Sequence, residues 1–174
     1  MKMKTKQMAT DAMLIAMCAL LGYLSVDLGN LKITFESIPI IVAALMFGAV
    51  DGLAVGGLGT LIYQLLRYGL TVTTPLWMLP YMICGLWIGL ASQRSGYALT
   101  GRRAALLIII NEIVITLLNT GVMYVDSKFY GYYSFVYIFG TFVLRVVICV
   151  VKATLYAVII PKLITAIPQK YRKA

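Results

Sequence analysis

Residues 104–124 read AALLIIINEIVITLLNTGVMY, and residues 139–164 read FGTFVLRVVICVVKATLYAVIIPKLI. A helix needs about 20 predominantly apolar residues to cross a bilayer, and each stretch meets that length. Both nevertheless carry polar groups: Asn111, Glu112 and Asn119 in the first, Arg145 and Lys152 in the second. A charge in the middle of a bilayer costs at least about 2.5–3.5 kcal/mol, so each needs a reason. Glu112 and Asn119 are seven apart, as are Arg145 and Lys152. Seven residues is close to two helical turns, so each pair lies on one face. In adjacent antiparallel helices, residues whose numbers share a sum lie at one depth. Glu112 with Lys152 and Asn119 with Arg145 both sum to 264, which predicts two matched polar layers. We read Glu112 and Lys152 mainly as a structural ion pair, since each neutralises the other. In the outer layer, the Arg145 fork beside Asn119 suits a ligand carboxylate; the alternative is that Arg145 snorkels to the outer headgroups. Arg67 and Lys32 would add to an outward-facing positive mouth.

Working outward, four more apolar runs precede these two, at about residues 9–26, 37–50, 53–66 and 76–91. The 37–50 run is short for a perpendicular span. It therefore begins partway into the membrane or is buried among its neighbours. Asp27, Gly29, Asn30 and Lys32 mark a polar turn at the outer end of the first run. Lys2, Lys4 and Lys6 before that run mimic a signal peptide, but no small-residue cleavage site follows promptly, and it reads as a retained helix. With the N-terminus inside, the cytoplasmic side holds Lys2, Lys4, Lys6, Arg94, Arg102, Arg103, Lys162, Lys170, Arg172 and Lys173, and the outside only Lys32, Arg67 and Lys128. That asymmetry is the positive-inside pattern. The expected fold is all-α: one integral membrane domain over 1–174, a bundle of six transmembrane helices with both termini cytoplasmic.

Composition agrees, with 61% hydrophobic and 12% charged residues against about 45–50% and 25% in soluble domains. The net charge of +9 is explained by topology, so no nucleic-acid partner is expected. Histidine is absent and Cys18, Cys84 and Cys149 are isolated in apolar runs, so neither metal, disulfide nor cofactor is expected. There is no phosphate loop and no His-Glu-xx-His, Gly-x-Ser-x-Gly or clustered-Asp motif, which argues against an enzyme and leaves ATP to a partner. Gly52, Gly56, Gly57 and Gly59 supply small-residue spacing for close helix approach. Tyr124–Tyr137 is a loop crowded with Tyr124, Phe129, Tyr130, Tyr132, Tyr133, Phe135 and Tyr137. It is either an interfacial aromatic belt or a lid whose rings stack on a flat ligand.

The residues resemble the S components of energy-coupling factor (ECF) vitamin transporters, the small substrate-capturing subunits, over nearly the whole chain. The resemblance rests on size, six spans, cytoplasmic ends and Ala12-Met-Leu-Ile-Ala16, which matches the family's Ala-xxx-Ala pattern. It implies that Ala12 and Ala16 pack against a transmembrane scaffold (T) component, with two ABC-type ATPase subunits as motor, in a bacterial cell membrane. The stretch Lys32-Ile-Thr-Phe-Glu-Ser-Ile-Pro39, Phe47-Gly48 with the Gly-rich span, Leu118-Asn119-Thr120 and Arg145 look most like the folate-specific branch. Asp51 and the Tyr-rich loop depart from that branch. Folate's flat pterin would stack on Trp77 or Tyr133, and its glutamate carboxylates would meet Arg145, Arg67 or Lys32. Riboflavin, thiamine or pantothenate are the alternative ligands. A membrane enzyme and a ligand-free structural or assembly subunit are the alternatives of another class.

Overall fold

The computed structural model describes residues 2–28, 31–99 and 101–167. The expected turn at Gly29 and Asn30 and the basic residues Lys170, Arg172 and Lys173 lie outside the described residues, as do the side chains of Asp27, Lys2 and Lys4. The chain runs α1 (Lys2–Tyr23), β1 (Val26–Leu28), β2 (Leu31–Ile33), α2 (Ser37–Phe47), α3 (Ala49–Tyr68), α4 (Thr74–Arg94), α5 (Gly101–Phe129), α6 (Phe135–Phe139) and α7 (Phe142–Ala166). It is an all-α membrane protein apart from the short antiparallel pair of β1 and β2, which sets Val26 opposite Ile33. Among the described residues, four helical stretches are long and apolar enough to cross a membrane: α3, α4, α5 and Phe135–Ala166.

The shortest of the major helices organises the bundle. All of α2 except Ile38 and Phe47 is buried, and it packs against α1, α3, α4 and α7. A helix apolar on every face needs neighbours on every face, and SIPIIVAALMF has no polar stripe to give to water. Gly48, at φ 106°, makes the turn into α3. At 1.5 Å per residue α2 extends about 16 Å and α3 about 30 Å. Running back from a shared turn, α3 overshoots the start of α2 by about 14 Å. That step leaves room above α2 for something other than helix.

On one side the bundle is closed by backbone. A Cβ on Gly52 would lie 2.6 Å from the Gly85 carbonyl oxygen, and one on Gly56 would lie 2.6 Å from that of Tyr81. Gly85 and Gly89 of α4 meet the backbones of Gly52 and Ala49 in the same way. Gly59 turns to α1 instead, where a Cβ would fall 2.6 Å from Cys18 Sγ. The glycines of α3 thus serve two seams. Ser92 Oγ donates to the Leu45 carbonyl at 2.8 Å, fastening α4 to α2. The outer surfaces of α5 and α7 expose Leu106, Leu117, Val143, Val150 and Val151, a continuous apolar face that suits lipid and not water.

One expected loop is largely helix. Residues 124–129 of the Tyr-rich stretch continue α5, and the chain turns only at Gly131, φ 75°. No helix breaker stands between Tyr124 and that glycine, so the helix runs on.

The seam gives a test. Gly85→Ala should lower stability in detergent by about 1–3 kcal/mol, because the added methyl meets backbone that cannot move aside. Gly121→Ala, where nothing lies within 4 Å, should raise it by up to about 1 kcal/mol. Thermal unfolding of the two variants checks the contrast, and equal effects would rule out a close α3–α4 seam.

Candidate functional site

The room above α2 is a cavity of about 580 Å³. Its floor is built from the segment leading into α2, with Thr34 and Glu36, together with Tyr81 of α4, Asn119 of α5 and Lys152 of α7. Its upper wall comes from parts that reach past α2: Tyr63, Gln64 and Tyr68 of α3, Trp77 of α4, Asp126 of α5 and Arg145 of α7. Thr71, Thr73, Tyr130, Tyr132 and Tyr137 rim it.

At the floor, Lys152 Nζ stands 3.2 Å from Glu112 Oε2, with the lysine side chain 15% and the glutamate 1% exposed. The ammonium also lies 5.6 Å from the Tyr156 ring centroid. Lys152 lines the cavity while Glu112 is set behind it. Asn119 Nδ2 donates to the Tyr81 hydroxyl at 3.3 Å. Arg145, half-buried, donates to Met123 Sδ at 2.9 Å. The outer polar layer therefore differs from the inner one: Asn119 turns to α4 and Arg145 reaches a residue nearer the end of α5. A long guanidinium stem can leave its own depth, whereas the Lys152 charge is held by its counter-ion.

At the rim, Asp126 accepts from Trp77 Nε1 at 3.4 Å and makes a short hydrogen bond with the Tyr132 hydroxyl. Burial, and then Asp126 itself, push the Tyr132 hydroxyl well above the usual phenol range, so it stays a donor at neutral pH. Asp126 thus ties α4, α5 and the turn after α5 into one border. Lys32 Nζ lies 4.2 Å from the Tyr63 ring centroid and 4.9 Å from that of Tyr68, and donates to the Tyr68 hydroxyl at 3.0 Å.

Of the residues singled out in the sequence, Arg145, Asn119, Lys32 and Trp77 share this cavity, and Arg67 and Tyr133 do not line it. Arg67 donates to the Tyr23 carbonyl at 2.9 Å and to Ser25 Oγ at 2.8 Å, which pins the end of α3 to the end of α1. Tyr133 packs edge-on against Tyr124 with ring centroids 5.5 Å apart, and Lys128 caps its face at 3.9 Å. The Tyr-rich stretch is therefore divided: Tyr130, Tyr132 and Tyr137 face the cavity, while Phe129 and Phe135 are exposed. Sequence reasoning missed Glu36, Tyr81 and Asp126. The signal for Asp126 was present, since it continues the seven-residue spacing of Glu112 and Asn119. Glu36 had one too, as an acid placed directly before a wholly apolar helix.

A second, shallow groove runs between α1 and α3, lined by Ala12, Ile15, Ala16, Leu20, Ile62 and Leu66 among others. It is almost wholly apolar, and Ala12 and Ala16 are exposed in it.

A family model described as ECF transporter, substrate-specific component, matches residues 6–171. No curated protein and no solved structure matches the chain.

Glu112→Gln should leave the Lys152 charge uncompensated and lower stability by about 3 kcal/mol or more, as breaking a buried pair does. Lys152→Met in that background should restore part of the loss. A double-mutant cycle measures the coupling; a value near zero would show that the contact contributes nothing to the fold.

Proposed function

The chain belongs to the substrate-specific components of ECF transporters, and we propose that it captures folate at the outer face of a bacterial cell membrane. On this reading all 174 residues form one domain that crosses the membrane six times, with both termini cytoplasmic. α1, and α2 together with the chain that leads into it, complete the count begun by the four long helices, and the basic residues at 94, 102, 103 and 162 favour the cytoplasmic placement. The cavity then opens outward.

The observation that carries the folate reading is the pairing of cations and rings in one cavity. Arg145 and Lys32 line it together with Trp77 and several tyrosines. Flat heterocycles stack on such rings, and a guanidinium takes a carboxylate through two parallel hydrogen bonds. Folate offers both a flat pterin and a tail with two carboxylates. Having no nucleotide-binding motif of its own, the subunit delivers its load through a scaffold component and two ABC-type ATPases. The α1–α3 groove is the surface that fits the scaffold, because Ala12 and Ala16 admit a partner helix at short range.

Binding needs no motor on this reading, so the isolated chain in detergent should bind folate without ATP. Trp77 lines the cavity and Trp87 is half exposed on α4, so the fluorescence change should vanish in Trp77→Phe. Arg145→Met should weaken folate by about tenfold or more, the worth of a hydrogen bond to a charged group, and should weaken pterin without the glutamate tail far less. A saturable response to riboflavin, thiamine or pantothenate and none to folates would overturn the folate assignment and leave the family intact.

The groove has its own test. Ala12→Leu or Ala16→Leu should abolish uptake by cells while folate binding by the isolated chain persists. Loss of binding with assembly preserved would reassign this face to the ligand site.

A further inference from the structure

The floor of the cavity presents more acceptors than donors. Glu36 is 1% exposed on the cavity wall, and its Oε2 has no hydrogen-bond partner among the described residues. That oxygen is closed off from solvent and rests against Gly22 of α1, 3.0 Å from where a Cβ would sit, so the carboxylate turns about its last bond to show both oxygens to a ligand. Asn119 Oδ1 is buried and likewise without a partner. Lys152 is paired with Glu112 at 3.2 Å and Lys32 is seated on the Tyr63 and Tyr68 rings, and neither hydrogen-bonds the Glu36 oxygen. The Thr34 and Tyr81 hydroxyls lie close to Glu36. Tyr81 has one proton to give and already accepts from Asn119. A carboxylate offers about four lone-pair sites, so one or two hydroxyls leave capacity unused. A buried acceptor left in that condition costs free energy that a ligand donor recovers.

We propose that Glu36 reads the N–H edge of the ligand, and that the deep end of the ligand is a ring carrying an amino group beside an amide N–H, the 2-amino-4-oxopyrimidine pattern. This deepens the folate reading and rests on it, since a pterin carries that edge. The two donors are parallel and spaced to meet the two oxygens of one carboxylate, as in any bidentate pairing. The same charge fixes orientation. A ligand carboxylate at the floor would compete with Glu36 for the same donors, so the anionic tail goes to Arg145 at the upper wall. Guanine-type bases carry the same edge and are the other source of this chemistry.

The test compares pterin with lumazine, which has oxygen where pterin has the amino group, and with folate and guanine, using the isolated chain. Wild type should prefer pterin over lumazine by roughly tenfold or more. In Glu36→Gln that ratio should fall toward one, because the amide keeps a single acceptor oxygen, and folate should weaken along with pterin. A ratio taken within one variant does not depend on how much of that variant is folded. Retention of the full preference in Glu36→Gln, with folate bound as in wild type, would overturn the role of Glu36 and leave the folate reading standing. Wild type that binds guanine but neither pterin nor folate, with the guanine site lost in Glu36→Gln, would support Glu36 and overturn folate. Wild type that binds none of the four would overturn both.

Discussion

The length of α2 sets the geometry of everything around it. Its eleven residues amount to about half the thickness of a hydrocarbon core of about 30 Å, yet it is enclosed by α1, α3, α4 and α7. Apolar surroundings require every backbone group to find its partner within the fold, and a helix satisfies its own. Beyond its first turn no such helix continues upward. The chain enters instead through the β1–β2 pair and residues 34–36, whose side chains are free to be polar because they border a cavity. The upper-wall residues of α3, α4, α5 and α7 come from the portions that extend past α2. Cavity and short helix are one feature seen from two sides.

Two kinds of contact hold the walls in place. Between α3 and α4 there is almost no side chain at all: Gly52, Gly56, Gly85 and Gly89 let backbone meet backbone. Between α5 and α7 the contact includes a charge pair, Glu112 with Lys152. Dispersion over a close seam tolerates no added methyl, whereas an ion pair tolerates no missing partner. The first makes the α3–α4 wall intolerant of volume and the second makes the floor intolerant of charge change. A ligand therefore meets a site whose lower half is held by backbone and buried charge, and whose upper border depends on the hydrogen bonds of Asp126 to Trp77 and Tyr132.

Much of this was legible in the residues, and the rest was not for physical reasons. The 37–50 run was too short for a perpendicular span, which left a helix that starts partway into the membrane or one buried among its neighbours; α2 is mostly buried. Antiparallel numbering brought Glu112 opposite Lys152, since backbone depth decides where a short side chain and an ion pair meet. The same arithmetic does not govern Arg145, whose stem is long enough to reach Met123. Nor does it govern Asn119, which Tyr81 of α4 draws away. Arg67 reads as a cation at the outer end of a span, and only the fold reveals Tyr23 and Ser25 within its reach. Glu36 could not be placed from sequence alone, because its depth follows from the length difference between α2 and α3. The Tyr-rich stretch was ambiguous because its members diverge, some toward the cavity and some toward the exterior, once α5 continues to Phe129.

The setting of Lys32 has a kinetic side. Its ammonium is held by the faces of Tyr63 and Tyr68 and by a phenol oxygen, none of which carries a formal negative charge. Ring quadrupoles and a phenol oxygen anchor the cation without adding a formal charge of their own. Its attraction thus reaches into the water beyond the mouth, over roughly a Debye length of about 8 Å at physiological ionic strength. An anion drifting past feels a pull before any contact forms, and a neutral solute does not. The two tyrosines thus hold a cation at the cavity, where its pull on anions weakens as salt rises.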